Sequence, residues 1–206
     1  LCADSGYYET FNRDNVTLDD ISDNSIDTFD EKGINLSSGE HISLDDVVFA
    51  TGFDAMTGAL DKIDIIGKNQ ISLRKKWKEG PKSYLGLGIS GFPNLFHIAG
   101  PGSPSVLTNM LVSIQQHVEW ITDCITWMRE KGFSKIEASK EAENSWVAHV
   151  NEVADLTVYP LCNSWYLGAN IPGKTRQFMP YVGGFPPYVK KCNDVASKGY
   201  EGFKVS

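Results

Sequence analysis

The sequence holds 206 residues, 41% of them hydrophobic, and carries a net charge of −7, which fits a sizeable core in one domain or in parts of two. The acidic balance argues against nucleic acid or an anionic membrane as partner, and no apolar run approaches a membrane span or a signal peptide. Cys2, Cys124, Cys162 and Cys192 are spaced too widely for a zinc site and suit reduced thiols of a cytoplasmic protein better than a disulfide frame.

In chain order, Val16 to Ile21 is a strand candidate, and Ser25 to Phe29 can pair with Gly33 to Leu36 as a hairpin. Ser37 to Glu40 supplies turn chemistry before the next strand. The Asp-rich stretch from Asp19 to Asp30 reads as a solvated surface. Val47, Val48 and Phe49 form a β-branched and aromatic run of the kind buried inside a sheet covered on both faces. Gly52 then breaks the run, and its missing Cβ leaves room for a close approach by another molecule. Residues 1–49 thus look like the tail of one domain, and 50–206 like part of a second.

After Gly52 the chain reads as loop-rich as far as Leu73. Tyr84 to Ile89 and Leu95 to Ile98 read as strands. The loop from Gly100 to Pro104 feeds a long helix on which Leu111, Ile114, Val118, Ile121, Ile125 and Met128 recur at steps of three and four, an apolar stripe. Arg129 and Lys131 favour its last turn, and Gly132 can close it. Two more helices follow, Lys140 to Leu156 with Trp146, Val150 and Val153 on one face, and Tyr188 to Ser197 started by Pro186-Pro187. The class is α/β.

The best small-molecule site is the junction from Gly102 to Met110. A helix start leaves backbone N–H groups unpaired and is electropositive. The plain alternative is a turn capped by Ser105 or Thr108, with Met110 in the core. Trp165 can donate one hydrogen bond and pack its face on a ring, or simply pack as a half-buried tryptophan. Lys174 and Arg176 read as solvated, and Asp54 as a cap. His41, His97, His117 and His149 fit no metal pattern and read as satisfied structural histidines.

Several motifs carry a resemblance. They are Ala50-Thr51-Gly52-Phe53-Asp54 after the apolar run, Gly91-Phe92-Pro93-Asn94-Leu95-Phe96, Gly100-Pro101-Gly102-Ser103-Pro104-Ser105, and Gly199-Tyr200-Glu201-Gly202-Phe203. The most specific is Ser164-Trp165-Tyr166-Leu167-Gly168-Ala169-Asn170-Ile171-Pro172-Gly173-Lys174. With Tyr7 to Val16, they resemble the carboxy-terminal part of Baeyer–Villiger monooxygenases of the phenylacetone and cyclohexanone type, over nearly the whole chain. The resemblance implies the C-terminal part of a Rossmann-like flavoprotein with two dinucleotide-binding domains. Residues 1–49 would close the NADPH-binding domain, residues 50–206 would belong to the FAD-binding domain, and long helices would follow the last strands. It implies FAD contacts at Thr51, Gly52, Asn109 and the Met110 backbone, NADP contacts at Ala50 and Trp165, and a substrate pocket bordered by Ser105, Val106 and Leu107. No metal is implied.

The two glycine-rich dinucleotide loops of that family are absent, and its catalytic arginine is expected upstream of Leu1. The chain is therefore expected to be a fragment that needs the N-terminal part of the enzyme and is inactive alone. The implied reaction inserts one atom of O2 beside a ketone carbonyl to give an ester or lactone. Two alternatives stand beside it: a flavin monooxygenase that oxidises nitrogen or sulfur, and a non-catalytic binding module.

Overall fold

The computed structural model describes residues 5–206, so Cys2 lies outside the described residues. The chain divides into two compact units, Leu1–Thr51 and Gly52–Ser206. Every strand pair among the described residues is antiparallel.

The first unit holds the short helix α1 (Tyr7–Thr10) and a three-stranded sheet in the order β1 (Ile26–Asp30), β2 (Gly33–Leu36), β3 (His41–Ser43). The expected hairpin is therefore present. Asp30 accepts from the Lys32 N–H at 2.8 Å, and that bond, with Asn35 and His41, holds its carboxyl at about 2. Gly33 has φ 151°, and a Cβ there would lie 2.0 Å from the Ile42 carbonyl oxygen, so only glycine lets β3 pair this closely.

Two expected strands do not form. Val16 to Ile21 pairs with nothing among the described residues. Nor is the Val47–Phe49 run a buried strand: Val47, Val48 and Phe49 are 42%, 87% and 69% exposed. Apolar character makes a buried strand only where a neighbouring strand and a covering layer exist. Among the described residues Phe49 finds one ring, Phe29, at 5.3 Å.

The second unit begins with the short helix α2 (Gly58–Asp61), inside the stretch expected to be loop-rich, and α3 (Leu73–Lys76) at its end. A hairpin follows, β4 (Gly88–Ile89) with β5 (Phe92–Phe96). The expected strand from Tyr84 is cut short because Leu85 and Gly86 take φ of 60° and 71°, which folds Tyr84 back onto Gly88 in a turn. Then come α4 (Met110–Lys131), β6 (Ile136–Ala138), α5 (Lys140–Ala154), α6 (Phe185–Ser197) and β7 (Phe203–Val205), with β6 and β7 paired. The three long helices lie where periodicity put them. Gly132 closes α4 in the left-handed region, and prolines occupy the first turn of α6.

The core joins α4, α5, α6, β6 and β7 through Trp120, Cys124, Met128, Ile136, Trp146, Val150, Tyr188, Cys192, Val195 and Tyr200. Trp120 donates its indole N–H to the Cys192 carbonyl at 3.0 Å and meets Tyr200 and Phe203 at ring distances of 5.0 and 5.8 Å. This overturns the expected packing face of α4. The helix buries Ser113, His117, Trp120, Cys124 and Met128, while Leu111, Val118 and Ile125 are 75%, 43% and 39% exposed. The stripe reading weighted aliphatic residues, whereas the rings of Trp120 and His117 bury more surface and choose the inward side.

Candidate functional site

Pro104 turns the chain into a single 3-10 turn, Ser105–Leu107, and Thr108 is extended before α4 begins. The cap of α4 is Asn109, not Ser105 or Thr108: its side-chain oxygen accepts the Leu111 N–H at 3.0 Å. Asparagine is among the best capping residues because its oxygen reaches back to the first unpaired amides. Met110 N–H, at the start of a 22-residue helix, has no helical acceptor. Met110 itself is 39% exposed, so it is not in the core. Ser105 is buried, with its hydroxyl 3.9 Å from the Met56 sulfur. Val106 and Leu107 are half-buried.

The turn ahead of this segment is fixed from several sides. Ser83 donates its hydroxyl to Pro101 O at 2.5 Å, Trp146 its indole N–H to Gly102 O at 2.9 Å, Gly102 its N–H to Met179 O at 2.6 Å, and Tyr181 its N–H to Ser103 O at 2.8 Å. The Met179 N–H in turn binds Tyr166 O at 2.9 Å. A short path of main-chain hydrogen bonds therefore ties the Gly102 turn to the Trp165 turn.

That second turn, Trp165–Leu167, is capped by Ser164, whose hydroxyl accepts the Tyr166 N–H at 3.2 Å. Leu167 packs with Ala154 and Phe178, and Leu107 and Tyr166 join the same apolar cluster. Trp165 keeps 36% of its surface exposed and lies 4.2 Å from the Tyr166 ring. The two segments singled out in the sequence thus meet, about 60 residues apart in the chain, as tertiary neighbours within one contact cluster.

A third segment joins them. Asn170 donates its side-chain N–H to Phe53 O at 3.0 Å, and Lys174 pairs with the Asp54 carboxylate. Asp54 is therefore an ion-pair partner and not a cap. Lys174, only 15% exposed, is not the solvated cation expected. Arg176 donates to the Asn163 side-chain oxygen. Gly52 lies beside Asn170: a Cβ on Gly52 would come within 4.0 Å of the Asn170 amide nitrogen. Ala50 and Thr51 are exposed and belong to the first unit. A cavity of about 550 Å³ is lined by Asp54, Thr57, Trp77, Gly173 and Lys174 among others. Met179, Asn170 and Lys174, which bind these segments together, were missed as site residues. No spacing rule links Lys174 to an acid 120 positions away, so nothing local marked these contacts.

The histidines divide. His41 lies 3.3 Å from Asp30, His149 3.3 Å from the Tyr181 hydroxyl, and His117 is fully satisfied. His97 is not a satisfied histidine: it is 5% exposed, and neither ring nitrogen has a partner. Burial pushes it down to about 4. Cys124, Cys162 and Cys192 are free thiols. Among the described residues no cluster of three or more metal-binding side chains occurs, and no helix is long and apolar enough to cross a membrane.

No protein-family model matches the chain. Curated relatives do. Cyclohexanone 1,2-monooxygenase of Acinetobacter sp. is 43% identical over 205 residues, covering 100% of this chain and 37% of the relative. A Baeyer–Villiger monooxygenase of Pseudooceanicola batsensis is 46% identical over 200 residues, covering 97% of this chain and 36% of the relative. A phenazine N-monooxygenase of Lysobacter antibioticus is 39% identical over 197 residues, with 96% of this chain and 36% of the relative covered. Among solved structures, a closed cyclohexanone monooxygenase matches with a TM-score of 0.90 and 41% identity, over 98% of this chain and 38% of that one. An oxidised steroid monooxygenase bound to NADP matches with a TM-score of 0.83 and 48% identity, over 98% and 38%.

In fold and sequence the chain is similar to flavin-dependent monooxygenases. Within that class the likeness is to Baeyer–Villiger monooxygenases, over nearly all of this chain. It spans a little over a third of the length of the curated relatives it matches.

Proposed function

We propose that this chain forms part of an FAD- and NADPH-dependent monooxygenase that inserts one atom of O2 beside a ketone carbonyl, giving an ester or lactone. The observation that carries the reading is the meeting of the Ser105–Leu107 turn with the Trp165–Leu167 turn, through the shared cluster of Leu107, Tyr166 and Leu167. That meeting brings together the two segments the family resemblance assigns to substrate and to nicotinamide cofactor, which would together form one wall of the pocket.

The residues suit the groups they would hold. Bound FAD would supply the redox and oxygen chemistry, with NADPH as the source of hydride. The exposed start of α4 offers the Met110 N–H and the positive end of the helix to an electron-rich flavin edge, with Asn109 fixing the helix start. Gly52 and Thr51 would leave room at the flavin, Ala50 and Trp165 would contact NADP, and Trp165 would also help keep water out. Ser105, Val106 and Leu107 would shape the space for the ketone. On this reading residues 1–49 close an NADPH-binding domain and residues 50–206 belong to an FAD-binding domain.

The outward face of α4 supports a need for further polypeptide. Leu111, Val112, Val118 and Ile125 are all exposed, and the relatives are far longer than this chain. The enzyme would work in the cytoplasm, with no nucleic-acid or membrane partner. A cation beside the reacting oxygen is expected from polypeptide outside this chain. The 206 residues alone are expected to bind neither FAD nor NADPH tightly, so a yellow, stoichiometrically flavinated preparation would count against this reading.

Nitrogen oxidation is the second reading, favoured by the 39% identity to a phenazine N-monooxygenase. The two separate in one assay. The longer polypeptide is given NADPH with a cyclic ketone or with an aromatic N-heterocycle, and products are identified by mass spectrometry. Lactone formation supports the first reading; N-oxide formation with no lactone sinks it.

A further inference from the structure

Ala99 takes a left-handed φ of 54° immediately before the Gly100–Asn109 loop. Its N–H points at Nδ1 of His117, 2.8 Å away. His117 lies two turns into α4 and is 0% exposed. Its other nitrogen, Nε2, is 2.9 Å from the Tyr188 hydroxyl oxygen, which is itself 2.6 Å from the Leu85 carbonyl oxygen.

The protons can be counted. A carbonyl only accepts, so Tyr188 gives its single proton to Leu85. The Tyr188 oxygen must then accept from His117, which places a hydrogen on Nε2. Nδ1 is left bare, and a bare nitrogen is what the Ala99 N–H requires. One tautomer satisfies every group. A proton on Nδ1 would face the Ala99 N–H donor to donor.

We propose that His117 is a positioning residue for the Ser105–Leu107 turn: it fastens Ala99, so that α4 holds both ends of the Gly100–Asn109 loop. This rests on the reading above that the turn borders the substrate. Asn109 caps the helix at one end of the loop, and His117, on the same helix, grips the other. The bond also offsets the steric cost of a left-handed alanine. A hydrocarbon ring at 117 would fill the space without holding Ala99.

Two variants separate positioning from packing. His117→Asn brings an amide oxygen near the place of Nδ1 and gives up Tyr188. His117→Gln reaches towards Nε2 and gives up Ala99. Asparagine leaves the larger void, so a role in packing alone would make it the more disruptive of the two. Amide hydrogen exchange is read at Ala99 and at Ser105 to Leu107 in the 206-residue chain. The Gln variant should exchange about tenfold faster there, the loss of one backbone hydrogen bond, and the Asn variant should stay within about threefold of the parent. Equal acceleration in both variants, or in neither, overturns the proposal.

The unmutated chain provides a test that no folding failure can spoil. Its nitrogen-15 spectrum should show His117 protonated at Nε2 and bare at Nδ1, and the opposite tautomer overturns the proposal. Neither experiment uses flavin or ketone. Loss of the His117 role therefore leaves the functional reading to the product assay, and failure there leaves the exchange result untouched.

Discussion

The two units of this chain carry similar apolar residues and use them differently. In the second unit, helices and two small strand pairs close around Trp120, Trp146, Tyr188 and Tyr200, all buried. In the first, among the described residues, Leu36 is the one buried hydrophobic side chain. Tyr7, Tyr8, Phe29, Val48 and Phe49 all remain exposed. The sheet of the first unit is held by its ladder, by Gly33 and by polar bonds at Asp30, not by a core. A three-stranded sheet is near the lower limit of independent stability unless something packs on its face. Stability measured on this chain should therefore report the second unit almost alone.

The largest test of that contrast is Trp120→Ala. It removes a buried ring that contacts Tyr200 and Phe203 and should cost about 3–5 kcal/mol, read from the urea midpoint of the helical signal. A loss below roughly 1 kcal/mol would mean that the second unit is not organised around this residue.

Acid comes next. His97 and His117 are both held down at about 4 by burial, against an ordinary value of about 6.5. Between those values the unfolded chain binds protons that the folded chain refuses. Stability is thus full above about pH 6.5 and falls as the pH drops towards 4, by roughly 2–3 kcal/mol for each histidine. His97→Phe should remove about half of that acid loss, and should also raise stability at pH 7, because it replaces a buried ring whose two nitrogens have no partners. Urea titrations at pH 7 and pH 4.5 on both proteins check this. An unchanged pH dependence in the variant would show that His97 carries none of it.

Helix positions were legible because capping and periodicity are local. Lys140, the prolines before Tyr188 and Gly132 mark ends that the structure keeps. The side of α4 that faces inward was not legible, since Trp120 and His117 are chosen by partners on α6 and β7. Val47 to Phe49 failed for the converse reason, because a pattern suited to a buried strand cannot say whether a second strand is present. At the site, the Ser105–Leu107 and Trp165 segments were found through motif resemblance. Their meeting depends on Met179 and Phe178, ordinary core residues with nothing in their local sequence to mark them. Asp54 read as a cap and Lys174 as a solvated charge until the fold paired them.

That pair gives a smaller effect. Lys174→Met breaks the bond to Asp54, whose side chain is 37% exposed. Solvent screening limits the cost to about 1 kcal/mol, again read from the urea midpoint. The Asn170 bond to Phe53 should persist and keep the Gly52–Met56 segment in place. Increased amide exchange confined to residues 53–56 is the expected signature. Exchange spreading to Ser105 would show that the ion pair, rather than Asn170, holds this part of the site.

The smallest effect belongs to the first unit. Val48 is 87% exposed, so Val48→Ser removes almost no buried area and should change the stability of this chain by less than about 0.5 kcal/mol. Phe49→Ser should behave the same way, apart from its contact with Phe29. In a longer polypeptide of the length its relatives have, the expectation changes. A run of valine and phenylalanine that gains a covering layer becomes core, and Val48→Ser would then leave a buried hydroxyl unpaired at a cost of about 1–3 kcal/mol. Measuring the same substitution in both contexts separates what these residues prefer from what surrounds them. A cost already present in the 206-residue chain would mean that the run is packed here after all, and the contrast between the two units would fail.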